Sequence, residues 1–386
     1  MVGSKDGGRR RWSRVIVRRI LPLVILVLLA VATAASFLPL IETNAWWVRY
    51  ADFPRLQLGT VIVALLVALL AVGRPAGKRA RAAAVLAVAL PAVAAVGYHA
   101  AKLYPYTRLA AYAAAGVEEC PAERTLSVMV ANVQKRNENA PAFLRLVEDV
   151  DPDVLLVMET DAWWDRHLSP LRSTFPEAVQ HIPDSHGAFG MHLFSKLPLA
   201  APAFRFLFDV YTPTLFTGIE LPNGVMVQFL GLHPRPPLAW TQSTTLRDAQ
   251  LLSAGLEARS SERPTILAGD FNAAPWEPVT RRSVRIGGLL DPRIGRGFYP
   301  TFRTGNLLIS WPLDQILHQE AFGLLDFERL PDFGSDHFPV FARLCHGTLG
   351  ALRQAAPTPR PGDLEEARVS IEAARALTRD GIAERR

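Results

Sequence analysis

Several polar side chains stand where apolar runs end. Val128-Met-Val-Ala131 leads into Asn132, and Leu155-Leu-Val-Met158 leads into Glu159. Ile266-Leu-Ala-Gly269 leads into Asp270, with Asn272 one residue further on. Asp314 opens another apolar run, and Gly334-Ser335-Asp336-His337 precedes a last one. Taken singly, each is an ordinary turn former, because Asn and Asp side chains cap local backbone groups. Taken together they read differently. Strands of one layered fold deliver their ends to a common edge, where ligands bind. Carboxylates, amides and an imidazole gathered there repel one another unless a cation sits among them. Hard oxygen donors of this kind suit Mg²⁺ or Mn²⁺. No Cys or paired His accompanies them, which argues against a structural zinc site.

Asn132, Glu159, Gly269-Asp270-Phe271-Asn272 and Ser335-Asp336-His337, in this order, resemble the endonuclease/exonuclease/phosphatase superfamily, in a membrane-anchored branch. That family includes pancreatic-type deoxyribonucleases, abasic-site endonucleases, inositol-polyphosphate phosphatases and neutral sphingomyelinases. The resemblance spans roughly Leu126 to Leu344 and implies a four-layer α/β sandwich. Lesser features agree with it. Ser195-Lys-Leu-Pro198 is similar to a family strand end, and Gly231-Leu-His233-Pro234 to the strand whose terminal His contacts phosphate. Asp314 matches the Asp that orients the catalytic His. Phe302 and Trp311 lie where nucleases reach toward substrate, and packing is the equally open reading.

The roles the resemblance implies are those of metal-assisted phosphoester hydrolysis with Mg²⁺ or Mn²⁺. A cation bound by Glu159, Asn132 and Asp336 offsets the charge of the phosphate. Asp270 orients or deprotonates the attacking water, and Asn272 holds that water or the phosphate. His337 donates to the charge that develops in the transition state, kept charged and oriented by Asp314. His233 is a second phosphate donor, with a capped turn before Pro234 as its alternative. Among the other histidines, His186 and His192 flank a strand and are candidates to face substrate. His167, His181, His318 and His346 have no motif context.

These residues need a scaffold of strands. Apolar, strand-forming runs are predicted at Leu126–Ala131, Val154–Met158, Phe189–Phe194, Val225–Leu230, Thr265–Ala268, Asp314–Leu317 and Pro339–Leu344. Between the first two, Phe143, Leu144, Leu146, Val147 and Val150 recur at helical spacing, so Ala140–Val150 is a helix, stopped at Asp151-Pro-Asp153. Trp240–Ala258 is a second helix candidate. Pro-rich joints punctuate the chain at Pro198–Pro202 and Pro234–Pro237. The pattern is mixed α/β without internal repeats.

Of the 386 residues, 49% are hydrophobic, and the excess lies in the first hundred. Apolar runs at roughly Ile20–Leu40, Leu58–Val72 and Ala82–Val96 predict three transmembrane helices in a region spanning 20–100. The first is too long for a cleaved signal peptide. The net charge of +6 is accounted for by Arg clusters beside these runs: Arg9, Arg10, Arg11, Arg14, Arg18 and Arg19 before the first, and Arg74, Lys78, Arg79 and Arg81 between the second and third. Basic flanks stay in the cytoplasm, so residues 1–19 are expected to be cytoplasmic and everything after the third span extracytoplasmic at the cell membrane. A catalytic domain at 104–346 and a flexible polar tail at 347–386 follow. The two cysteines, Cys120 and Cys345, bracket that domain and would pair in an oxidising compartment; two unrelated thiols are the alternative.

The expected function is a membrane-anchored phosphoesterase that hydrolyses phosphodiester bonds in a nuclease-like manner. Its rival is a lipid-phosphate or isoprenoid-pyrophosphate phosphoesterase at the outer membrane face. The partner is therefore a phosphate ester, nucleic acid or lipid phosphate, and no protein partner is evident. A non-catalytic binding module is disfavoured by the intact Asp270, Asn272, Asp336 and His337. A nuclease needs a basic groove; Arg235, Arg247, Arg281, Arg282 and Arg303 are the arginines available for one, and the domain has no dense basic run.

Overall fold

A computed structural model describes residues 20–72, 79–184, 189–237, 243–348 and 354–383. The chain divides into two units, the first essentially Met1–Tyr104 and the second Pro105–Arg386 with the short segment Asn44–Trp46. In the first unit, α1 (Leu21–Phe37), the short α2 (Trp46–Tyr50), α3 (Arg55–Val72) and α4 (Arg79–Leu103) account for the apolar runs. Three of these helices are long and apolar enough to cross a membrane: Leu21–Leu40, Arg55–Val72 and Val85–Tyr106. They pack through a narrow stripe, Ile25, Leu29 and Ala32 against Ile62, Leu69, Ala92 and Ala95. Other apolar side chains, Leu23, Val27, Val31, Val67, Leu70 and Leu90 among them, point outward. Two pairs of buried polar side chains bond each other: Ser36 with His99 (2.8 Å), and Arg55 Nε donating to Asp52 (2.9 Å). The segment 1–19 and most of the basic connector, 73–78, lie outside the described residues.

The second unit is a sandwich of two six-stranded sheets. The first has the order β11-β12-β1-β2-β4-β3, where β1 is Thr125–Asn132, β2 Val154–Met158, β3 Glu177–His181, β4 Met191–Ser195, β11 Phe322–Arg329 and β12 Val340–His346. The second has the order β5-β6-β7-β8-β10-β9, with β5 Leu199–Arg205, β6 Thr214–Glu220, β7 Met226–Leu232, β8 Thr265–Asp270, β9 Leu289–Leu290 and β10 Asp314–Gln319. Alternation sorts each strand's side chains between two cores. In β2, Leu156 and Met158 face the opposite sheet, whereas Leu155 and Val157 meet Phe143 and Val147 of α5 (Ala140–Val150) and Trp164 of α6 (Ala162–Leu168). This explains why that strand is apolar at every position. On the far side, Leu230, Leu267 and Leu317 pack on α7 (Thr245–Ser260) and α8 (Pro278–Gly287). The four layers are thus helix, sheet, sheet, helix, as the resemblance implies.

Two expectations change. The predicted helix from Trp240 is found from Thr245 onward, residues 238–242 being outside the described ones. The tail is more ordered than its composition suggests. Asp363–Ala383 forms a helix, α9, that buries Ala367, Ile371 and Ala374. Its first residue accepts from Arg285 Nη2 (2.7 Å) and Arg282 Nε (3.3 Å) of α8. Its apolar face is small because alanines suffice to fill it. Cys120 and Cys345 form a disulfide, with Cα atoms 5.8 Å apart.

Candidate active site

Strand pairing gathers the polar strand ends at one edge. In the parallel pair β1–β2, Asn132 sits opposite Met158, so Glu159 emerges beside it. In the parallel pair β7–β8, Leu232 sits opposite Gly269, which sets His233 beside Asp270. Strand β10 runs antiparallel to β8, so its first residue, Asp314, pairs with Asp270, the last of β8. Strand β12 runs antiparallel to β1, with Val340 opposite Val130, and so the preceding Ser335-Asp336-His337 loop arrives at the same place. Gly269 (φ 143°) is required at this junction: a Cβ there would collide with the carbonyl of Leu232. Glu159 (φ 60°) and Asn272 (φ 47°) adopt the left-handed conformation, which costs a non-glycine residue about 1 kcal/mol or more and is concentrated at functional sites.

Asp270 is the centre. Its Oδ1 accepts from Asn272 N–H (2.9 Å) and its Oδ2 from Asn132 Nδ2 (3.2 Å). His337 Nε2 lies 3.7 Å and His233 Nε2 3.9 Å from that same Oδ2. Both separations exceed a hydrogen bond. His337 Nδ1 donates to Asp314 Oδ2 (2.8 Å), and Asp314 N–H donates to Thr301 Oγ1 (3.1 Å). Burial opposes the charge of His337, but Asp314 and Asp270 outweigh it and lift the imidazolium to about 10. Burial lowers His233 to about 4, against the attraction of Asp270 and with the repulsion of His337. Burial also raises the Asp270 carboxyl, with Asp314 adding to the effect and His337 opposing it.

Asp270, Asp314 and His337 bring potential ligand atoms within 4.8 Å of one another. Asp314 is already committed to His337, however, so this trio is a hydrogen-bonded carboxylate–imidazole pair beside an acid rather than a cage. The better fit for a cation is Glu159 with Asp336. Glu159 is partly open to solvent, at 27% of its side chain. The Asp336 carboxyl is raised first by burial and then by the charges of Glu159 and Asp270, against the attraction of His337. Mutually repelling hard oxygens of this kind are what a divalent cation relieves. Asn132 Oδ1 accepts from Gln134 N–H (3.0 Å), and its Nδ2 donates to Glu159 (3.0 Å) and Asp270. Asn272 Nδ2 is likewise used, donating to the Pro234 carbonyl (2.9 Å) and tying the Asp270 loop to the His233 loop.

Sequence reasoning passed over the residues that hold these in place. Arg247 was a candidate for a basic groove, but it is fully buried: it donates to the Asn272 carbonyl (2.8 Å) and pairs with Asp248 (2.8 Å) and Glu277 (2.9 Å). Glu277 also accepts from Ala274 N–H (2.7 Å). Arg282 is occupied by α9, and Arg235 by Asp209 (3.0 Å). Ser335 Oγ donates to the Asn132 carbonyl (2.7 Å) and accepts from His337 N–H (3.1 Å). Phe302 stacks 4.8 Å from His337, and Phe189 lies 5.2 Å from His233, whereas Trp311 is buried beside Phe302. His192 does not face substrate; it is buried between Thr160 Oγ1 (2.9 Å) and Asp165 (3.0 Å). His186 lies outside the described residues.

With fold and site in view, the sequence model of the Endonuclease/Exonuclease/phosphatase family matches residues 129–337, more than half of the chain, and the protein belongs to that family. Similar solved structures include a humanized TDP2 from D. rerio, at 16% identity, covering 57% of this chain and 99% of the other, TM-score 0.48. The human Nocturnin catalytic domain with bound sulfate is 19% identical, with coverage of 59% and 96% and TM-score 0.47. An endonuclease/exonuclease/phosphatase protein from Beutenbergia cavernae is 18% identical, with coverage of 58% and 72% and TM-score 0.46. No curated protein matches the chain.

Proposed function

We propose that the protein is a divalent-metal-dependent phosphoesterase that hydrolyses phosphodiester bonds, anchored in the cell membrane by three N-terminal spans with its catalytic domain extracytoplasmic. The observation that carries this reading is the arrangement around Asp270. A raised carboxylate stands between one charged and one neutral imidazole, with further acids alongside.

A cation such as Mg²⁺ or Mn²⁺, held by Glu159 and Asp336, would neutralise phosphate charge. Asn132 spreads its two donor hydrogens between Glu159 and Asp270 and keeps both acids aimed at the site. Asp270, more basic than an ordinary carboxylate, takes the proton of the attacking water. Water oxygen bonds to phosphorus and the ester P–O bond breaks. His337, held charged by Asp314, donates to the phosphoryl oxygens as charge builds on them. His233 acts as a neutral donor on the other side. Asn272 shapes the Asp270 loop through its backbone N–H and its bond to Pro234.

Three helices of spanning length support anchoring. The Arg clusters beside them and the Cys120–Cys345 disulfide both favour an extracytoplasmic domain. The test is turnover of bis(p-nitrophenyl) phosphate, plasmid DNA and lipid phosphates by the full chain with Mg²⁺ or Mn²⁺. Chelation should abolish it, and Asp270→Asn should lower kcat roughly 10²–10⁴-fold. Turnover that survives both EDTA and Asp270→Asn would sink the proposal.

A further inference from the structure

Two loops flank the reaction centre, each connected to one of its histidines. The loop at 206–213, between β5 and β6, is joined to the site through Arg235. The Arg235 Nε lies 3.0 Å from Asp209 and donates to Thr212 Oγ1 (3.3 Å). Its guanidinium stacks 5.6 Å from the Tyr211 ring and 5.7 Å from the Phe189 ring, and Phe189 in turn packs on His233. The loop at 303–310 is joined through Phe302, whose carbonyl accepts from Ser310 Oγ (2.9 Å) and whose ring packs on His337. Both chains of contact end at Asp270.

The tips of these loops are apolar. Phe206, Val210 and Tyr211 are 41%, 68% and 48% exposed, and Leu308 and Ile309 are 82% and 45% exposed. Among the described residues beyond the N-terminal unit, nine large hydrophobic side chains are exposed, and these five are on the two loops. Single exposed apolar residues are ordinary on any protein surface; their concentration around one cleft marks a binding face. Arg303, also exposed, adds a cation to the same rim. Apolar tips with a cation beside them suit a surface that enters the headgroup region of a bilayer. A nucleic-acid face needs a cationic track instead. Among the described residues, Arg247 is buried and Arg282 is engaged by α9, so neither contributes to such a track. The same chain carries three helices of spanning length.

We propose that the loops at 206–213 and 303–310 dock the active site on a bilayer surface, and that its substrate is a phosphoester whose apolar part remains in that bilayer. The substrate half of this inference rests on the phosphoesterase reading above; the docking half does not.

The experiment uses the full chain in lipid nanodiscs containing phosphatidylcholine and phosphatidylglycerol. A single cysteine at Leu308 or Val210 carries a bimane label, and quenching by brominated acyl chains is read against a label at Arg368 on α9, which is 71% exposed. Docking predicts strong quenching at Leu308 and Val210 and little at Arg368; equal quenching at all three overturns it. In parallel, Leu308→Glu and Val210→Glu should slow hydrolysis of nanodisc phospholipid about tenfold or more, while soluble bis(p-nitrophenyl) phosphate turnover stays within about twofold. Equal slowing of both substrates, or loss confined to cleavage of an oligonucleotide, overturns the lipid assignment. If wild-type protein hydrolyses none of these, the phosphoesterase reading has failed, and the quenching still decides the docking.

Discussion

His233 and His337 are both buried, stand on either side of Asp270 and point Nε2 at the same carboxylate oxygen, yet they hold opposite charge states. Behind His337 is Asp314, 2.8 Å from Nδ1. Behind His233 is no such group: its Nδ1 has no hydrogen-bond partner among the described residues, and its ring rests on Phe189. One carboxylate therefore separates an imidazolium near 10 from an imidazole near 4. Residue type and burial alone do not determine electrostatic role; the group behind the reacting group does. The site thus has a charged donor on one side and a neutral donor beside an aromatic wall on the other.

The largest effect expected from breaking this asymmetry is that of Asp314→Asn. It should lower kcat by roughly 10²-fold or more, since an oriented charged donor becomes an ordinary imidazole. The alkaline limb of the kcat profile should move to lower pH at the same time. A kcat loss with no shift in that limb would show that Asp314 only holds the backbone. His233→Gln should cost less, on the order of tenfold and mainly in KM, because it removes one neutral hydrogen bond. A loss as large as that of Asp314→Asn would mean that the two sides are equivalent after all.

The smallest effect is on stability. The folded His233 pKa lies below the unfolded value near 6.5, so the neutral ring contributes fully above about pH 6.5, and that contribution is lost as pH falls toward 4. His337 has the opposite sign: its contribution is complete below pH 6.5 and is lost as pH rises through about 10. Between pH 7 and 5, wild type should therefore lose roughly 1–2 kcal/mol that His233→Gln does not lose, measured by denaturant unfolding at each pH.

How much of this was legible in the sequence follows from where each residue sits. The central strands β1, β2, β7, β8 and β12 are largely apolar on both faces, so composition reveals them. Strands β3 and β5 are half exposed edges, and Pro202 made β5 read as a joint, although an edge strand tolerates proline. The helix α8 was passed over because it buries Thr280, Ser283 and Gly287 beside few apolar residues. Asp270, Asp314, His233 and His337 were recognisable because polar residues at strand ends have no packing reason to be there. Thr301, Arg247 and Glu277 were not. Their partners are backbone groups or side chains ten to thirty residues away, and such pairings exist only once the chain is folded.

The order of strands in the first sheet also governs how the domain is made. Strand β1 is the first strand to leave the ribosome, and its hydrogen-bonded neighbour on one side is β12, the last. Until residues near His346 have been synthesised, β1 presents an open edge of the kind that recruits foreign strands. Its partner loop at Ser335–His337 is missing for the same interval. The nascent chain therefore carries Asn132 and Glu159, and later Asp270, before His337 is added. The first sheet is complete only with β12 placed between β1 and β11.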